Sequence, residues 1–417
     1  MQDTEPIYLD YNSTTPCDPE VIRVMVPLLG TQFGNASSRQ HIYGLRAAGY
    51  VKEAREQLAA FINASPEEII FTSGATESVN LAIRGVAEIY SLKGKHIITA
   101  ATEHSSVLDC CANLERQGYD ITYLEPDNDG IIDPEHLVKA IRNDTILIAV
   151  MWANNETGVI QPMKTLSEIA AKKDVIFFSD ATQALGKIEI NAESSGIGLM
   201  SFSAHKIYGP KGTGALYLRR KNPRVKLSPQ IYGGGQERGL RSGTLNVPGI
   251  AGMGTAIKLL RDLQQAEIER ILSLRDRLET ALISEDQVFV NGSVTSRLAT
   301  VSNLCFRLTD GKKLLAEINK DLAVSSGAAC SSASTEPSHV LLGMGLGKLA
   351  AEASIRFSLG RFTTSKDISK SIEIVKNALV KVRSEQYPDY KTLLEAQSDQ
   401  EEWFHPAAAR RATRIGV

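Results

Sequence analysis

Two apolar runs in the middle of the chain each lead to a residue that could take part in catalysis. Residues 175–178 predict a buried strand that ends near Asp180, and residues 199–203 predict another that leads to Lys206. In α/β folds the carboxyl ends of parallel strands share one sheet edge, where ligands bind. Pyridoxal phosphate requires such a pair, a lysine for covalent attachment and an aspartate to keep its ring nitrogen protonated. Taken alone, Asp180 also fits a turn former or a helix cap.

A turn of small residues follows another apolar run, at residues 69–72. Gly74, Ala75 and Thr76 come next, and the pattern predicts a helix over 78–90. Unpaired amides and the positive end of a helix dipole bind phosphate at such a turn, where the Thr76 hydroxyl would add a donor. A plain helix cap also fits the Ser, Thr and Glu residues here, but a cap does not require Gly74.

His104 and Asn155 lie just past two further predicted strands, at residues 96–101 and 146–152. An imidazole beside a cofactor ring can stack on it and move protons near neutral pH, although a lone histidine is usually structural. By its position, Asn155 fits a turn residue and a ligand equally well. Both residues are therefore candidates for the same sheet edge.

Three segments in the second half of the chain add candidates. Arg356 lies in the strand-like segment 354–358, where it suits either a bidentate grip on a carboxylate or a structural ion pair. The glycine-rich segment 233–244 is typical of a binding or subunit-contact loop, with a flexible surface loop as the alternative. Residues 323–335 contain almost nothing that could anchor them in a core, so they predict a mobile loop that presents Cys330.

Composition and charge restrict the class of protein. The 417 residues include 46 Lys and Arg against 48 Asp and Glu, so no broad attraction to nucleic acid or acidic membranes is expected. The amino terminus lacks a signal-peptide pattern and no apolar run is long enough for a membrane span, which predicts a cytoplasmic protein. Cys110, Cys111 and Cys305 fit buried packing positions, and the five cysteines show no CxxC spacing.

The alternation of strands and helices between residues 65 and 220 predicts a largely parallel sheet with helices on both faces. We expect an α/β protein with a large cofactor domain and a smaller α+β domain. The expected boundaries are 1–14 for an N-terminal segment on the small domain, 15–260 for the large domain, 261–386 for the small domain with a cysteine loop at 323–338, and 387–417 for a frayed or partner-docking tail.

With these motifs assembled, residues 7–365 closely resemble the cysteine desulfurases of iron-sulfur-cluster assembly, within the class-V aminotransferase-like group of pyridoxal phosphate fold type I. The motifs that carry the resemblance are FTSGATES (71–78), TEH (102–104), NNETG (154–158), DATQ (180–183), SFSAHKIYGPKG (201–212), GGGQERGLRSGT (233–244), SSGAACSSAS (325–334) and SIRFSLGRF (354–362). The long cysteine loop resembles the branch that supplies sulfur to cluster scaffolds. A departure is Ala328 and Ala329 before Cys330, where Gly-Ser-Ala is frequent.

The resemblance implies a role for each matching residue. Lys206 would hold pyridoxal phosphate covalently, Asp180 would pair with its ring nitrogen and Gln183 would contact its ring hydroxyl. His104 would stack on the ring and transfer protons. The implied phosphate ligands are Ala75, Thr76, Ser203 and His205, with Thr244 from the second subunit of a homodimer. The implied substrate ligands are Asn155, which would also contact the cofactor, Arg356 and Asn35.

The resemblance also implies a reaction, the conversion of L-cysteine to L-alanine. Lys206 would remove the α-proton, the cofactor would hold the resulting charge, and Cys330 would attack the substrate sulfur as a thiolate. Because an ordinary cysteine is mostly a thiol at pH 7, a proton acceptor such as His104 would raise the thiolate fraction. The Cys330 persulfide would supply sulfur for iron-sulfur clusters and tRNA thiolation.

The implied partners are an iron-sulfur scaffold protein and other sulfur acceptors, without direct contact with nucleic acid or membranes. No resident metal is implied, although Cys330 could transiently touch a cluster on a partner. Three alternatives stay open: an aminotransferase, which has no need of a mobile cysteine, a selenocysteine lyase, and a subunit without catalysis. The presence of Lys206, Asp180, His104 and Cys330 argues against the last.

Overall fold

The computed structural model describes residues 5–326 and 336–387. The elements up to residue 246 are β1 (Ile7–Tyr8), α1 (Pro19–Leu29), α2 (Ile42–Phe61), β2 (Ile69–Thr72), α3 (Ala75–Ile89), β3 (His96–Ala100), α4 (Ser105–Glu115), β4 (Asp120–Leu124), α5 (Pro134–Ala140), β5 (Thr145–Ala149), α6 (Met163–Lys172), β6 (Ile176–Asp180), β7 (Leu199–Ser203) and β8 (Gly214–Leu218). The later elements are α7 (Val247–Ile283), β9 (Val288–Val290), β10 (Val301–Phe306), α8 (Gly311–Ile318), β11 (Leu322–Ala323), α9 (His339–Gly343), α10 (Lys348–Glu352), β12 (Ser354–Ser358) and α11 (Ser365–Gln386).

The largest sheet has seven strands in the spatial order β2-β8-β7-β6-β5-β3-β4. The strands from β7 to β4 in this order pair in parallel, whereas β8 is antiparallel to both of its neighbours. Parallel neighbours need crossover connections; α4 lies in the connection from β3 to β4 and α6 in the one from β5 to β6, whereas segment 181–198 joins β6 to β7 without a helix. The prediction of an α/β fold with a largely parallel sheet is confirmed.

Alternate residues of the central strands pack on opposite faces of this sheet. Ile148 and Phe177 belong to a core that also contains apolar residues of α2, α6 and α7. Their neighbours Leu147 and Phe178 belong to a second core with α3 and α4. Because side chains alternate along a strand, an uninterrupted apolar run is buried on both faces.

The remaining strands form two small sheets. β12, β10 and β9 pair antiparallel in that order, and β1 pairs in parallel with β11. A third core joins these sheets to α8, α11 and the second half of α7. The first half of α7 contributes to the core of the large sheet. The expected domain boundary at 260/261 therefore falls inside one continuous helix.

Two predicted helices are longer than expected. α3 begins at Ala75 rather than at residue 78, because Gly74 adopts a φ of 154° and turns the chain directly into the helix. The sequence pattern also predicts a long helix over about 250–281, and α7 extends beyond this range at both ends. Within the described ranges, none of the helices combines the length and the apolar character that crossing a membrane requires.

Candidate active site

A cavity of about 590 Å³ opens at the carboxyl edge of the large sheet. Asp180 ends β6, Lys206 follows β7, and both side chains line this cavity. The other sequence-predicted residues that line it are Ala75, Thr76, His104, Asn155, Gln183, Ser203 and His205. The sheet thus brings together side chains that lie as far apart in the sequence as residues 75 and 206.

The Asp180 carboxylate is oriented by its own turn. Its Oδ1 accepts hydrogen bonds from the Thr182 amide at 3.0 Å and from the Ser201 hydroxyl at 2.9 Å. Both bonds use the same oxygen, so Oδ2 keeps its acceptor capacity toward the cavity. The turn-forming role considered for Asp180 and a ligand role are therefore compatible.

The Lys206 amine is held by two backbone carbonyl groups. Nζ donates to the carbonyl oxygens of Asn12 and Ser13, each at 2.6 Å. These two residues lie in the turn that follows β1, and they line the same cavity. The first described turn of the chain therefore fixes the position of the amine.

The N-terminus of α3 points its first amides at the cavity. Gly74 is the N-cap and provides no side-chain cap, so the amides of Ala75 and Thr76 keep their capacity to bind an anion. β8 passes so close that a Cβ on Gly214 would lie 2.5 Å from the Gly74 Cα. Glycine at both positions lets the strand and the helix start meet.

His205 adds an uncharged hydrogen-bond donor to the cavity that the α3 N-terminus faces. Its Nδ1 lies 3.1 Å from the Thr14 hydroxyl. Burial, together with the positive charges of Lys206 and Lys211, lowers the pKa of His205 to about 4. The imidazole is therefore uncharged at pH 7 and presents a single N–H group.

His104 has a defined tautomer. Its Nδ1 accepts the backbone N–H of Ser106 at 3.1 Å and so caps α4. A nitrogen that accepts an N–H cannot carry a proton itself, so the proton of the neutral ring is on Nε2. His104 therefore offers a donor at Nε2, whereas accepting a proton at Nδ1 would break the cap.

Arg356 is buried below the site and does not line the cavity. Its Nη2 donates to Asp10 Oδ1 and to the Ser13 hydroxyl, both at 2.7 Å. Its Nη1 donates to the Asn155 carbonyl at 3.0 Å. The ion pair that was the alternative for Arg356 is present, and the guanidinium contacts two residues of the cavity wall.

The comparisons with known proteins agree with this architecture. The model of the family described as "Aminotransferase class-V" matches residues 7–370. The chain belongs to this family. The match covers the large sheet, the cavity and the small sheets in one continuous stretch.

Individual class-V relatives are similar over nearly the whole chain. Cysteine desulfurase IscS of Anaeromyxobacter dehalogenans (strain 2CP-C) is 49% identical over 403 residues, which cover 96% of this chain and 99% of the relative. A solved NifS-like protein is 33% identical, with a TM-score of 0.84 over 90% of this chain and 100% of that one. A structure titled "SspA in complex with cysteine" is 36% identical, with a TM-score of 0.76 over 86% and 100% of the two chains.

Besides Arg356, three sequence-predicted residues of this class-V chain lie away from the cavity wall or outside the described structure. Asn35 is exposed, and its Oδ1 accepts the Ser37 amide at 2.9 Å within its own turn. Thr244 is exposed and is not among the residues that line the cavity. Cys330 and most of its predicted loop lie outside the described residues, as does the tail from residue 388. The three predicted packing cysteines, Cys110, Cys111 and Cys305, are buried as expected.

Sequence reasoning missed Asn12, which links the class-V site together. Its carbonyl accepts from Lys206 and from Gln183 Nε2, and its Nδ2 donates to the Asn155 carbonyl at 3.0 Å. These partners lie 143 to 194 positions away in the sequence. A polar residue in a turn carries no local signal of such contacts.

Glu156 is a second missed residue, a buried carboxyl beside the site. Ser338, at the start of α9, donates its hydroxyl to Glu156 Oε2. Burial raises the pKa of Glu156 to about 7. The hydrogen bond from Ser338 and the nearby Arg356 and His104 act to lower this pKa, but their effect is smaller. The carboxyl therefore keeps its proton in the folded protein at pH values where an unfolded chain has lost it.

We expect Glu156→Gln to stabilise the protein relative to the parent as pH rises. Between pH 4.5 and 7 the unfolded chain releases a proton that folded Glu156 retains, so the parent loses stability. The loss amounts to roughly 3 kcal/mol and is constant above pH 7. Denaturant unfolding at pH 5 and pH 8 measures it. The exposed Glu53→Gln variant should follow the parent, and a Glu156→Gln curve parallel to the parent's would contradict the assignment.

Proposed function

We propose that the protein is a pyridoxal phosphate-dependent cysteine desulfurase, which converts L-cysteine to L-alanine and transfers the sulfur to Cys330. The observation that carries the proposal is the placement of Asp180, Lys206 and the α3 N-terminus around one cavity. The similarity to a cysteine desulfurase at 49% identity supports the same chemistry.

The residues around the cavity fit pyridoxal phosphate. The amides of Ala75 and Thr76 and the side chains of Ser203 and His205 provide donors for a phosphate. The Thr182 hydroxyl is buried in the cavity wall and has no hydrogen-bond partner among the residues that the structure describes, as suits a site that is completed by a ligand. When bound, the cofactor withdraws electrons from the substrate's α-carbon.

The chain's own residues supply the proton transfers and the orientation. The Asp180 carboxylate keeps the ring nitrogen protonated, and Lys206 Nζ takes the proton from the α-carbon. His104 donates from Nε2 to groups that gain electrons, consistent with its tautomer. The Asn155 side chain binds the substrate carboxylate, while Arg356 fixes the Asn155 backbone and contributes positive charge from below.

Cys330 acts on the substrate sulfur. Its Sγ, as a thiolate, forms an S–S bond while the C–S bond of cysteine breaks, and the electron pair of that bond stays with the carbon fragment. Protonation of this fragment yields L-alanine, and Cys330 keeps a persulfide. A sulfur acceptor, either an iron-sulfur scaffold protein or a relay for tRNA thiolation, then removes the terminal sulfur.

The described segments on either side of Cys330 support its proposed action at the cavity. Ser325 pairs with Arg356 through the backbone, and Ser338 binds Glu156, so both flanks are attached beside the site. Cys330 is the fourth residue after Ser326. Four residues span at most about 14 Å when extended, which sets the range of Sγ.

We place the protein in the cytoplasm as a homodimer in which Thr244 of each subunit reaches the partner's phosphate site. The exposed position of Thr244 leaves it available for such a contact. Ile22, Val26 and Leu29 form an exposed apolar face of α1, at the spacing that places them on one side of a helix. A second copy of the chain would cover this face.

Replacing Cys330 tests the proposal. We expect Cys330→Ala to lower sulfide and alanine production from L-cysteine by roughly 100-fold or more, since the acceptor of the substrate sulfur is lost. Addition of L-cysteine should still change the visible spectrum of the bound cofactor, because substrate binds before Cys330 acts. Mass analysis of the parent should find one added sulfur atom on the Cys330 peptide.

The matched control is Cys17→Ala, a partly buried cysteine that does not line the cavity. It should retain the parent rate. A Cys330→Ala variant with the parent rate would contradict the proposal. Alanine production that depends on added pyruvate, with mercaptopyruvate formed from the cysteine, would indicate an aminotransferase, and a strong preference for selenocysteine would indicate a lyase.

A further inference from the structure

Lys187 contacts the site without a function in the proposed reaction. It lies in the turn after β6, where Gly186 adopts a φ of 75°. A Cβ on Gly186 would lie 2.5 Å from Leu260 Cδ1 of α7, so glycine is required for this turn. The turn brings the Lys187 amine back to Gln183, four residues earlier.

The Lys187 amine contacts two side-chain amides. Nζ donates to Gln183 Oε1 and to Asn12 Oδ1, the latter at 3.2 Å. Neither partner carries a charge. Glu267 lines a small cavity together with Lys187, but its carboxylate forms an ion pair with Arg361. Burial lowers the pKa of Lys187 to about 7, and the positive charges of Lys206 and Arg356, the charged groups of the described chain that act on the amine, contribute to this lowering.

The contacts of Lys187 and Asn12 determine which way the Gln183 amide points. The ammonium form of Lys187 has no acceptor, so the amide atom next to it is Oε1, which accepts its hydrogen bond. The Asn12 carbonyl only accepts, so the atom 3.0 Å from it is Nε2. Nε2 has a second N–H group, and Gln183 lines the cavity.

We propose that Lys187 is a positioning residue that fixes the Gln183 amide so that its second N–H group is presented to the ring oxygen of the cofactor. The inference rests on the proposed function. Both the ammonium and the neutral amine can donate to Oε1, so the orientation is kept when Lys187 titrates. Lys187 thereby acts on the cofactor through Gln183 rather than by contact.

The pH dependence of the cofactor's visible absorption reports this contact. A donor to the ring oxygen withdraws electron density from it, which weakens the oxygen's hold on the neighbouring proton of the Lys206 nitrogen. Loss of the donor should therefore raise the pH midpoint of the absorption change. We expect Lys187→Met and Gln183→Leu each to raise the midpoint of the loaded protein by about half a pH unit or more.

A double-mutant cycle separates action through Gln183 from a direct or general effect. In the Gln183→Leu background, Lys187→Met should move the midpoint by less than half of its effect in the parent. The exposed Lys370→Met variant should leave it unchanged. If Lys187→Met does not fold, Lys187→Ala is measured in the same cycle.

Two outcomes would overturn the inference: an unchanged midpoint in Lys187→Met, or an equal shift in both backgrounds. The first would show that Asn12 alone orients the amide. The second would show that Lys187 acts on the cofactor by its charge or through the general structure. A parent protein that gains no visible absorption from pyridoxal phosphate would overturn the proposed function as well, so the two failures are distinguishable.

Discussion

Lys206→Ala is expected to abolish the turnover of L-cysteine, with a fall in kcat/KM of about 1,000-fold or more. The same amine is proposed to attach the cofactor and to take the α-proton, and loss of a positioned base alone removes about 100- to 10,000-fold. The carbonyls of Asn12 and Ser13 hold this amine, each at 2.6 Å. An alanine at position 206 has no amine that these carbonyls could hold, so the variant loses both the attachment point and the base.

Borohydride reduction of the loaded parent tests where the cofactor is attached. The cofactor's mass should appear on the Lys206 peptide in the parent and be absent from Lys206→Ala. Lys187 is the competing amine, since its pKa of about 7 leaves much of it unprotonated at pH 8. Label on the Lys187 peptide of the parent, or full turnover by Lys206→Ala, would contradict the assignment. Lys370→Ala, at an exposed position on α11, serves as the control.

The positions of Asp180 and Lys206 could be predicted because the information for them is local. Each follows an apolar run that is buried on both faces of the sheet, and such runs identify central strands. Parallel pairing of β6 with β7 then places both residues at one edge. Likewise the α3 terminus was recognisable because glycine and small residues directly follow a strand.

The partners of Arg356 could not be predicted in the same way. The sequence left a substrate ligand and an ion pair equally open, and the ion pair formed is with Asp10, 346 positions away. It depends on β12 lying beside the turn after β1, which is a consequence of the tertiary fold. Asn12 was missed for the same reason, since its role consists of contacts with distant segments.

The tautomer of His104 also required the structure. The sequence suggested a proton acceptor for the Cys330 thiol, whereas the N-cap bond to Ser106 leaves the proton on Nε2. The sequence pattern did not define where α4 begins, so a cap at His104 could not be assigned. A shift of one residue in a helix start decides which nitrogen of the ring is available.

Arg361→Leu should destabilise the protein by about 3 to 5 kcal/mol, because it leaves two largely buried carboxylates without their partner. The guanidinium donates to Asp18 at 2.6 Å and to Glu267 at 3.2 Å, and lies 4.2 Å above the Tyr208 ring. It thus connects the cap of α1, helix α7 and the segment after Lys206. Its side chain is 11% exposed, so water cannot replace these contacts.

Denaturant unfolding of the loaded protein measures the loss, with Arg23→Leu as the matched control. Arg23 also pairs with a carboxylate, Glu20 at 2.8 Å, but both side chains are exposed, so its removal should cost no more than about 1 kcal/mol. Adding Asp18→Asn and Glu267→Gln to Arg361→Leu removes the unpaired charges and should recover part of the stability. Equal losses for the Arg361 and Arg23 variants would show that the buried cluster contributes no more than an exposed pair, and would contradict its role in connecting α1, α7 and the segment after Lys206.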